Sequence, residues 1–183
     1  NHKYLLKIVV SMIPAVLIGL FFEKEIELFF TGNILLVGSM LIITGILLLL
    51  TKMSKETKRD ISYLHSLIIG ISQAFAMIPG ISRSGATICT SLLLGNKKND
   101  TAKFSFLMVI PLIFGKIIKD LLSSNVIFNN IDYTLYIFGF LSAFITGLFA
   151  CKLMLKIVKN NSFIIFSGYC IIVGVLSIII SSY

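Results

Sequence analysis

The residues best suited to chemistry lie in one short segment, Pro79 to Thr87. Arg83 carries a planar guanidinium whose forked donors match the oxygens of a phosphate group. Ser82, Ser84 and Thr87 add hydroxyl groups, and a helix that starts near Ser84 would direct its free N–H groups at the same anion. These residue types at this spacing predict a phosphate-binding loop, with Arg83 and Ser82 as the catalytic candidates.

Two glycines flank the arginine in this segment. Gly80 and Gly85 permit close backbone approach and unusual dihedral angles, which a loop wrapped around an anion requires. We therefore place both glycines among the candidate substrate contacts, beside the serines, the threonine and the arginine.

Arg83 is the one charged residue that lies inside an apolar stretch, away from its ends. An arginine at the bilayer centre costs at least about 2.5 kcal/mol, so it requires a partner. The acidic residues all lie in or beside polar clusters: Glu23, Glu25, Glu27, Glu56, Asp60, Asp100, Asp120 and Asp132. An anionic ligand satisfies Arg83 best, although a carboxylate from another segment, or a side chain that reaches the interface, is the structural alternative.

The segment before the turn carries polar residues at helical spacing. His65, Ser72 and Gln73 share one face of a helix, where they either line a polar cavity or pack against other helices. We interpret His65 and Ser72 as packing residues. Gln73 lies closer to the turn, fits both roles, and is included among the candidate substrate contacts.

Composition determines which elements hold these residues. The chain has 57% hydrophobic and 13% charged residues and a mean hydropathy of +0.99, which is typical of an all-α integral membrane protein. We predict one membrane domain over residues 1–183, with spans near 5–22, 34–50, 102–122, 135–155 and 163–181. Residues 61–95 are interrupted by Pro79 and Gly80, and predict a re-entrant helical hairpin in this bundle.

The distribution of Lys and Arg supports re-entry. If the hairpin enters and leaves by one face, most of these residues fall on one side: Lys3, Lys7, Lys52, Lys55, Lys58, Arg59, Lys97, Lys98, Lys103, Lys152, Lys156 and Lys159. Lys24, Lys116 and Lys119 fall on the other. The basic side is predicted to be cytoplasmic, which leaves Tyr183 extracytoplasmic. Topology thus explains the net charge of +8 without a nucleic-acid partner.

The motif resembles a known family, the undecaprenyl-diphosphate phosphatases of bacterial cell-wall lipid recycling, also called bacitracin-resistance proteins. The resemblance is carried by residues 70–88, GISQAFAMIPGISRSGATI, and by Ala102 to Leu107 through Pro111. It implies hydrolysis of undecaprenyl diphosphate to the monophosphate and phosphate in the bacterial plasma membrane, and resistance to bacitracin. Ser82, Arg83 and Thr87 match the family residues that bind the diphosphate.

The resemblance also implies an inverted-repeat fold of which this chain is the later two-thirds. The family's earlier half contributes a Glu-rich motif and a Ser-Ser-x-Gly-His segment, and neither occurs here. Any divalent cation, such as Mg²⁺ or Ca²⁺, would therefore take its ligands from outside this chain, and part of the catalytic machinery is expected there too. A transporter or flippase for a phosphorylated lipid is the alternative, because broken helices also bind anions in transporters.

Overall fold

The computed structural model describes residues 2–30, 32–54, 59–122, 133–160 and 163–181, and the regular structure in these ranges is helical. Four helical segments in them are long and apolar enough to cross a bilayer: His2–Phe21, Ile34–Met53, Tyr133–Asn160 and Ile164–Ser181. At about 1.5 Å per residue, such helices approach the roughly 30 Å thickness of the hydrocarbon core. The prediction of an all-α membrane protein is confirmed.

The described α-helices are numbered in chain order. In chain order they are α1 (His2–Phe21), α2 (Glu23–Phe29), α3 (Ile34–Leu50), α4 (Tyr63–Phe75), α5 (Arg83–Leu93), α6 (Lys98–Leu107), α7 (Val109–Leu122), α8 (Tyr133–Asn160) and α9 (Ile164–Ser181). A 3-10 turn, Thr51–Met53, extends α3.

The helices α4 and α5 form a hairpin whose two ends meet. The backbone N–H of Lys97 donates to the carbonyl of Arg59 at 3.0 Å, and the Lys97 ammonium contacts the Asp60 carboxylate at 2.5 Å. Further along the hairpin from these contacts, a hydrogen bond of 2.8 Å joins His65 Nδ1 and Asn96 Oδ1. The segment between these contacts therefore enters and leaves at the same end of the bundle, as the charge pattern predicts.

Two buried clusters hold the hairpin in place. One contains Leu48, Ile88, Cys89, Leu92, Ala102, Val158 and Phe163, and joins α5 to the end of α3, to α6, to the end of α8 and to the residue that precedes α9. The other contains Ile8, Ile61, Ile69, Phe104 and Met108, and joins α4 to α1 and α6. The hairpin is thus packed among protein helices, which is the condition for non-helical backbone at membrane depth.

The segment predicted as a single span over 102–122 is divided into two helices. Pro111, the third residue of α7, lacks an N–H, and its ring crowds the carbonyl of Leu107 four residues earlier. The last bond of α6 runs from the N–H of Met108 to the carbonyl of Phe104 at 2.9 Å, and α7 begins at Val109. A proline inside the predicted span therefore separates α6 from α7.

The helices α3 and α9 pack closely because small residues face each other. A Cβ on Gly38 would lie 2.9 Å from the Gly174 carbonyl oxygen, and a Cβ on Gly174 would lie 2.7 Å from that of Gly38. Two helical turns further along α3, the Gly45 carbonyl accepts a hydrogen bond from the Ser167 hydroxyl of α9 at 2.7 Å. Small residues at such contacts are the usual means of close helix association in membranes.

The charged residues divide between the two ends of the bundle. At one end the Lys7 ammonium lies 5.7 Å from the ring centroid of Tyr63, beside the base of the hairpin. At the other end Glu23 pairs with Lys116 at 3.8 Å and with Lys119. These contacts agree with the predicted sorting of Lys and Arg. Lys55 and Lys58 lie outside the described residues.

Candidate anion-binding site

The turn between α4 and α5 is held against the middle of α3. Gly80 has a φ of +95°, and a Cβ there would lie 2.5 Å from the carbonyl oxygen of Val37. The buried hydroxyl of Thr44 accepts the Ser82 N–H at 3.1 Å and lies 3.2 Å from the Gly80 carbonyl oxygen. Gly80 thus serves the approach of the turn to α3, and Thr44 satisfies backbone groups that have no helical partner.

Ser82 begins α5 as its N-cap residue. Its hydroxyl oxygen accepts the N–H of Gly85 at 3.2 Å, which satisfies one of the free donors of the first turn. A Cβ on Gly85 would meet the Ser82 side chain at 3.0 Å, so this glycine gives the cap its space. Arg83 and Ser84 follow as the first two residues of the helix, where backbone N–H groups favour an anion.

Arg83 is half-buried, and its described hydrogen-bond partner is neutral. Its Nη2 donates to Oε1 of Gln73 on the facing helix α4. The ion pairs found within the described residues join Lys97 to Asp60, and Lys116 and Lys119 to Glu23 or Asp120, so none of them neutralises Arg83. Within the described residues, the guanidinium therefore has a hydrogen-bond acceptor and takes no part in these ion pairs.

Helix α4 brings Gln73 to this position by close contact with α1. A Cβ on Gly70 would lie 2.2 Å from the carbonyl oxygen of Ser11, so only glycine allows the two backbones to approach in this way. Gln73 lies one helical turn further along α4, and its side chain is buried. The sequence left the role of Gln73 open between cavity and packing, and the structure places it next to Arg83.

A cavity of about 790 Å³ lies beside the turn. Arg83, Gln73 and Met77 line it on the side of the hairpin, while apolar side chains of α1 and α7 form much of the remaining wall, among them Met12, Val16, Leu20, Pro111, Leu112 and Ile113. Its volume lies within the roughly 300–1,000 Å³ of ligand pockets. At the turn, the Arg83 cation lies beside these apolar walls, an arrangement that suits an anionic headgroup attached to an apolar chain.

Charged residues line the same cavity toward the end of the bundle opposite the hairpin base. Glu23, Lys116 and Lys119 belong to this group, and the ion pair between Glu23 and Lys119 connects the wall of α1 and α2 to that of α7. The hydrogen bond from Lys119 is the main reason that the pKa of Glu23 lies below its ordinary value. Glu23 is therefore ionised at neutral pH and acts as the counter-ion of the lysines.

Thr87 lies one helical turn after Arg83 in α5, and its hydroxyl contacts helix α6. Its hydroxyl is 2.6 Å from the Ser105 hydroxyl of α6 and 3.0 Å from the Arg83 carbonyl oxygen. Both threonine and serine are buried, and neither belongs to the residues that line the cavity. In this structure Thr87 joins α5 to α6, and its contact with a phosphate group stays a prediction.

Two further polar pairs occupy helix contacts. Ser72 accepts a hydrogen bond from Thr90 at 2.9 Å between α4 and α5, and His65 contacts Asn96 near the hairpin base. The packing interpretation of His65 and Ser72 agrees with these positions. Sequence reasoning missed Thr44 and Asn96, and it gave Ser105 no role of its own. For Thr44 the available signal was a hydroxyl group in a span whose other hydroxyl belongs to Ser39.

The described residues do not provide a metal site. No group of three or more His, Cys, Asp or Glu side chains in the described ranges is close enough to hold an ion. Arg83, the charged group at the turn, is itself a cation and would repel one. The described residues at the turn therefore do not fit a metal ion.

A family model described as "Bacitracin resistance protein BacA" matches residues 1–176. The chain belongs to this family. Membership agrees with the helical membrane fold and with the resemblance carried by the segment around Arg83.

Curated relatives of this BacA-family chain are named undecaprenyl-diphosphatase. That of Christiangramia forsetii is 52% identical over 177 residues, which are 97% of this chain and 67% of the relative. That of Bacteroides fragilis is 44% identical over 183 residues, 98% of this chain and 69% of the relative. That of Methanococcus vannielii is 43% identical over 176 residues, 93% of this chain and 68% of the relative. The matches span about two-thirds of these relatives.

Proposed function

We propose that this chain acts in the hydrolysis of undecaprenyl diphosphate to undecaprenyl phosphate and inorganic phosphate, which recycles a lipid carrier of cell-wall synthesis and confers resistance to bacitracin. The observation that carries the proposal is the guanidinium of Arg83 at an apolar cavity, with a neutral partner in the described residues. The relatives named undecaprenyl-diphosphatase supply the identity of the substrate.

In this reaction water attacks the terminal phosphorus and the bond from that phosphorus to the bridging oxygen breaks. Negative charge grows on the bridging oxygen, which leaves with the lipid monophosphate, while the transferred group departs as inorganic phosphate. Arg83 stabilises this charge with donors placed in a site that apolar walls shield from water. Removal of a comparable charge-stabilising donor in enzymes lowers turnover by about 100- to 1,000-fold.

The first turn of α5 supplies the second part of the phosphate site. The N–H groups of Arg83 and Ser84 and the hydroxyls of Ser82 and Ser84 are proposed to donate to the diphosphate. Gly80 and Gly85 support this site by allowing the turn to pack against α3 and the Ser82 cap to form. The prenyl chain is proposed to lie along the apolar walls of α1 and α7, in contact with acyl chains. A direct contact of Thr87 with the diphosphate stays a prediction.

Other groups needed for hydrolysis are proposed to lie beyond this chain. The described carboxylates that line the cavity, Glu23 and Glu27, belong to α2, and Glu23 is already paired with Lys116 and Lys119. We propose that these groups, and the ligands of any Mg²⁺ or Ca²⁺, belong to the third of the relatives' length that this chain does not match.

The proposed location is the bacterial plasma membrane, with the hairpin base in the cytoplasm and Ser181 near the extracytoplasmic face. The excess of Lys and Arg near the hairpin base supports this orientation. A transporter or flippase is not favoured, because the names of the relatives describe hydrolysis.

To test the function, Arg83→Lys and Arg83→Ala are compared with the wild type in the full-length protein, by phosphate release from the lipid diphosphate in detergent. Both variants should lose about 100-fold or more in kcat/KM, because lysine keeps the charge but not the forked donors. Arg59→Lys, at the hairpin base, is the matched control and should retain activity. Phosphate release at a near-wild-type rate by both Arg83 variants would contradict the proposal.

A further inference from the structure

The side-chain amide of Gln73 has a fixed orientation. Its Oε1 accepts a hydrogen bond from Nη2 of Arg83. A guanidinium has donors and no acceptor, so only the amide oxygen can face it, and Nε2 must point elsewhere. The guanidinium therefore fixes which end of the Gln73 amide faces Arg83.

The amide nitrogen of Gln73 is buried and makes no hydrogen bond within the described residues. Gln73 is 1% exposed, and its Nε2 has no hydrogen-bond partner among the described residues. A buried donor without a partner costs free energy, which an apolar side chain of the same length, such as methionine, would avoid. Packing alone thus disfavours glutamine at this position, and what Gln73 supplies is the acceptor oxygen for Arg83.

The neutrality of this acceptor matters as much as its position. Buried arginines are commonly held by a carboxylate, which orients the guanidinium and also cancels its charge. Gln73 has the same reach as glutamate but no charge, and the ion pairs of the described residues do not include Arg83. Both residues line the 790 Å³ cavity, so the oriented cation is presented to a ligand there.

We propose that Gln73 is the positioning residue of the site: it orients the Arg83 guanidinium through a neutral hydrogen bond, so that the full positive charge remains available to a phosphate group. This proposal rests on the proposed function, since it names the residue that prepares Arg83 for a diphosphate. It extends that function to a requirement that residue 73 be both an acceptor and uncharged.

Two substitutions separate the requirements. Gln73→Met keeps length and packing but removes the acceptor, and should lower the affinity for inorganic pyrophosphate and kcat/KM for the lipid diphosphate by about 10- to 100-fold. Gln73→Glu keeps the acceptor but adds a charge that pairs with Arg83, and should weaken pyrophosphate binding further. The pyrophosphate affinity of this variant relative to wild type should recover only in acid, below the ordinary glutamate pKa of about 4.3, because pairing with Arg83 keeps the introduced carboxylate charged above that range.

The measurements are inhibition of phosphate release by inorganic pyrophosphate and pyrophosphate-dependent protection against thermal unfolding, both on the full-length protein in detergent. Ser72→Ala, on the same helix, is the control: it removes the contact with Thr90 and should lower the unfolding temperature without changing the pyrophosphate constants. Gln73→Asn is the fallback if the other variants fail to fold. Its amide is one methylene too short to reach Arg83, and a loss of at least tenfold is expected.

Wild-type pyrophosphate constants in folded Gln73→Met or Gln73→Asn would overturn the positioning role. Equal constants for Gln73→Glu and Gln73→Met at neutral pH would overturn the requirement for neutrality. Absence of phosphate release by the wild type would instead count against the proposed function, and the protection assay would still test Gln73 because binding does not require hydrolysis.

Discussion

The hydroxyl of Thr44, in the middle of α3, accepts a hydrogen bond from the backbone N–H of Ser82 at 3.1 Å. The same hydroxyl lies 3.2 Å from the carbonyl oxygen of Gly80, so one side chain serves both arms of the turn before Arg83. This contact fixes the start of α5 relative to a spanning helix.

Thr44→Val should therefore impair the anion-binding site, although Thr44 itself does not contact Arg83 in the described hydrogen bonds. Valine has nearly the same shape but leaves the Ser82 N–H without its acceptor, and we expect a loss of about 1–3 kcal/mol in stability. Phosphate release should fall as well, because Arg83 is the next residue in the chain. Thermal unfolding and activity in detergent measure the two effects. Thr44→Ser should preserve both, and Thr146→Val, whose hydroxyl bonds within exposed α8, should change neither.

Gly80→Ala should disrupt the turn. The new Cβ would require a left-handed backbone at φ +95° and would lie 2.5 Å from the Val37 carbonyl oxygen. Left-handed strain and overpacking together should destabilise the protein by about 2–4 kcal/mol, measured by thermal unfolding. Gly147→Ala is the matched control, because no atom lies within 4 Å of its Cβ position, and it should stabilise α8 slightly. A Gly80→Ala protein of wild-type stability would refute the stated contact with α3.

The pair Thr87 and Ser105 allows the packing role of Thr87 to be distinguished from a contact with substrate. Their hydroxyls are 2.6 Å apart and buried, so Thr87→Val and Ser105→Ala should show a coupling of about 0.5–1.5 kcal/mol in a double-mutant cycle of stability. Both single variants should also lower activity to a similar extent. A different result would indicate a direct contact of Thr87 with the diphosphate: Thr87→Val abolishes phosphate release at unchanged stability, while Ser105→Ala keeps wild-type activity.

The hairpin base should respond weakly to pH through Asp60 and Lys97. The hydrogen bond from Lys97 is the main cause of a lowered pKa of Asp60, and the pKa of Lys97 is raised by the same contact. The contribution of Asp60 to folding stability is present above its unfolded pKa of about 3.9 and is lost as pH falls through its lower folded pKa. The contribution of Lys97 to folding stability is present below its unfolded pKa of about 10.4 and is lost as pH rises through its higher folded pKa.

Asp60→Asn should accordingly lower the unfolding temperature slightly between about pH 5 and pH 9, with the difference from wild type vanishing in acid. Both side chains are exposed, so the effect should be small and should shrink with added salt. Thermal unfolding at several pH values and two ionic strengths measures it. A difference that persists at pH 2 would show that the ion pair is not its cause.

Part of the architecture could be predicted from residue order because it depends on local composition. Long apolar runs require spanning helices, and Pro79 with Gly80 interrupts one of them, so the hairpin is visible in the sequence. The sorting of Lys and Arg indicated that the hairpin returns to the same side, and the contact of Lys97 with Asp60 agrees. The division at Met108 was missed, since a proline in a membrane helix does not by itself determine whether the helix bends or ends.

The sequence by itself determined that an arginine stands in an apolar turn and needs an anion, because an isolated charge in hydrocarbon is unfavourable wherever the helices lie. Only the tertiary structure decided which polar side chains share its site. Gln73 and Thr87 are both polar helical residues near the turn, yet packing against α1 brings Gln73 to Arg83 while packing against α6 directs Thr87 to Ser105. The direction that a helix faces depends on its neighbours, and those neighbours are distant in the chain.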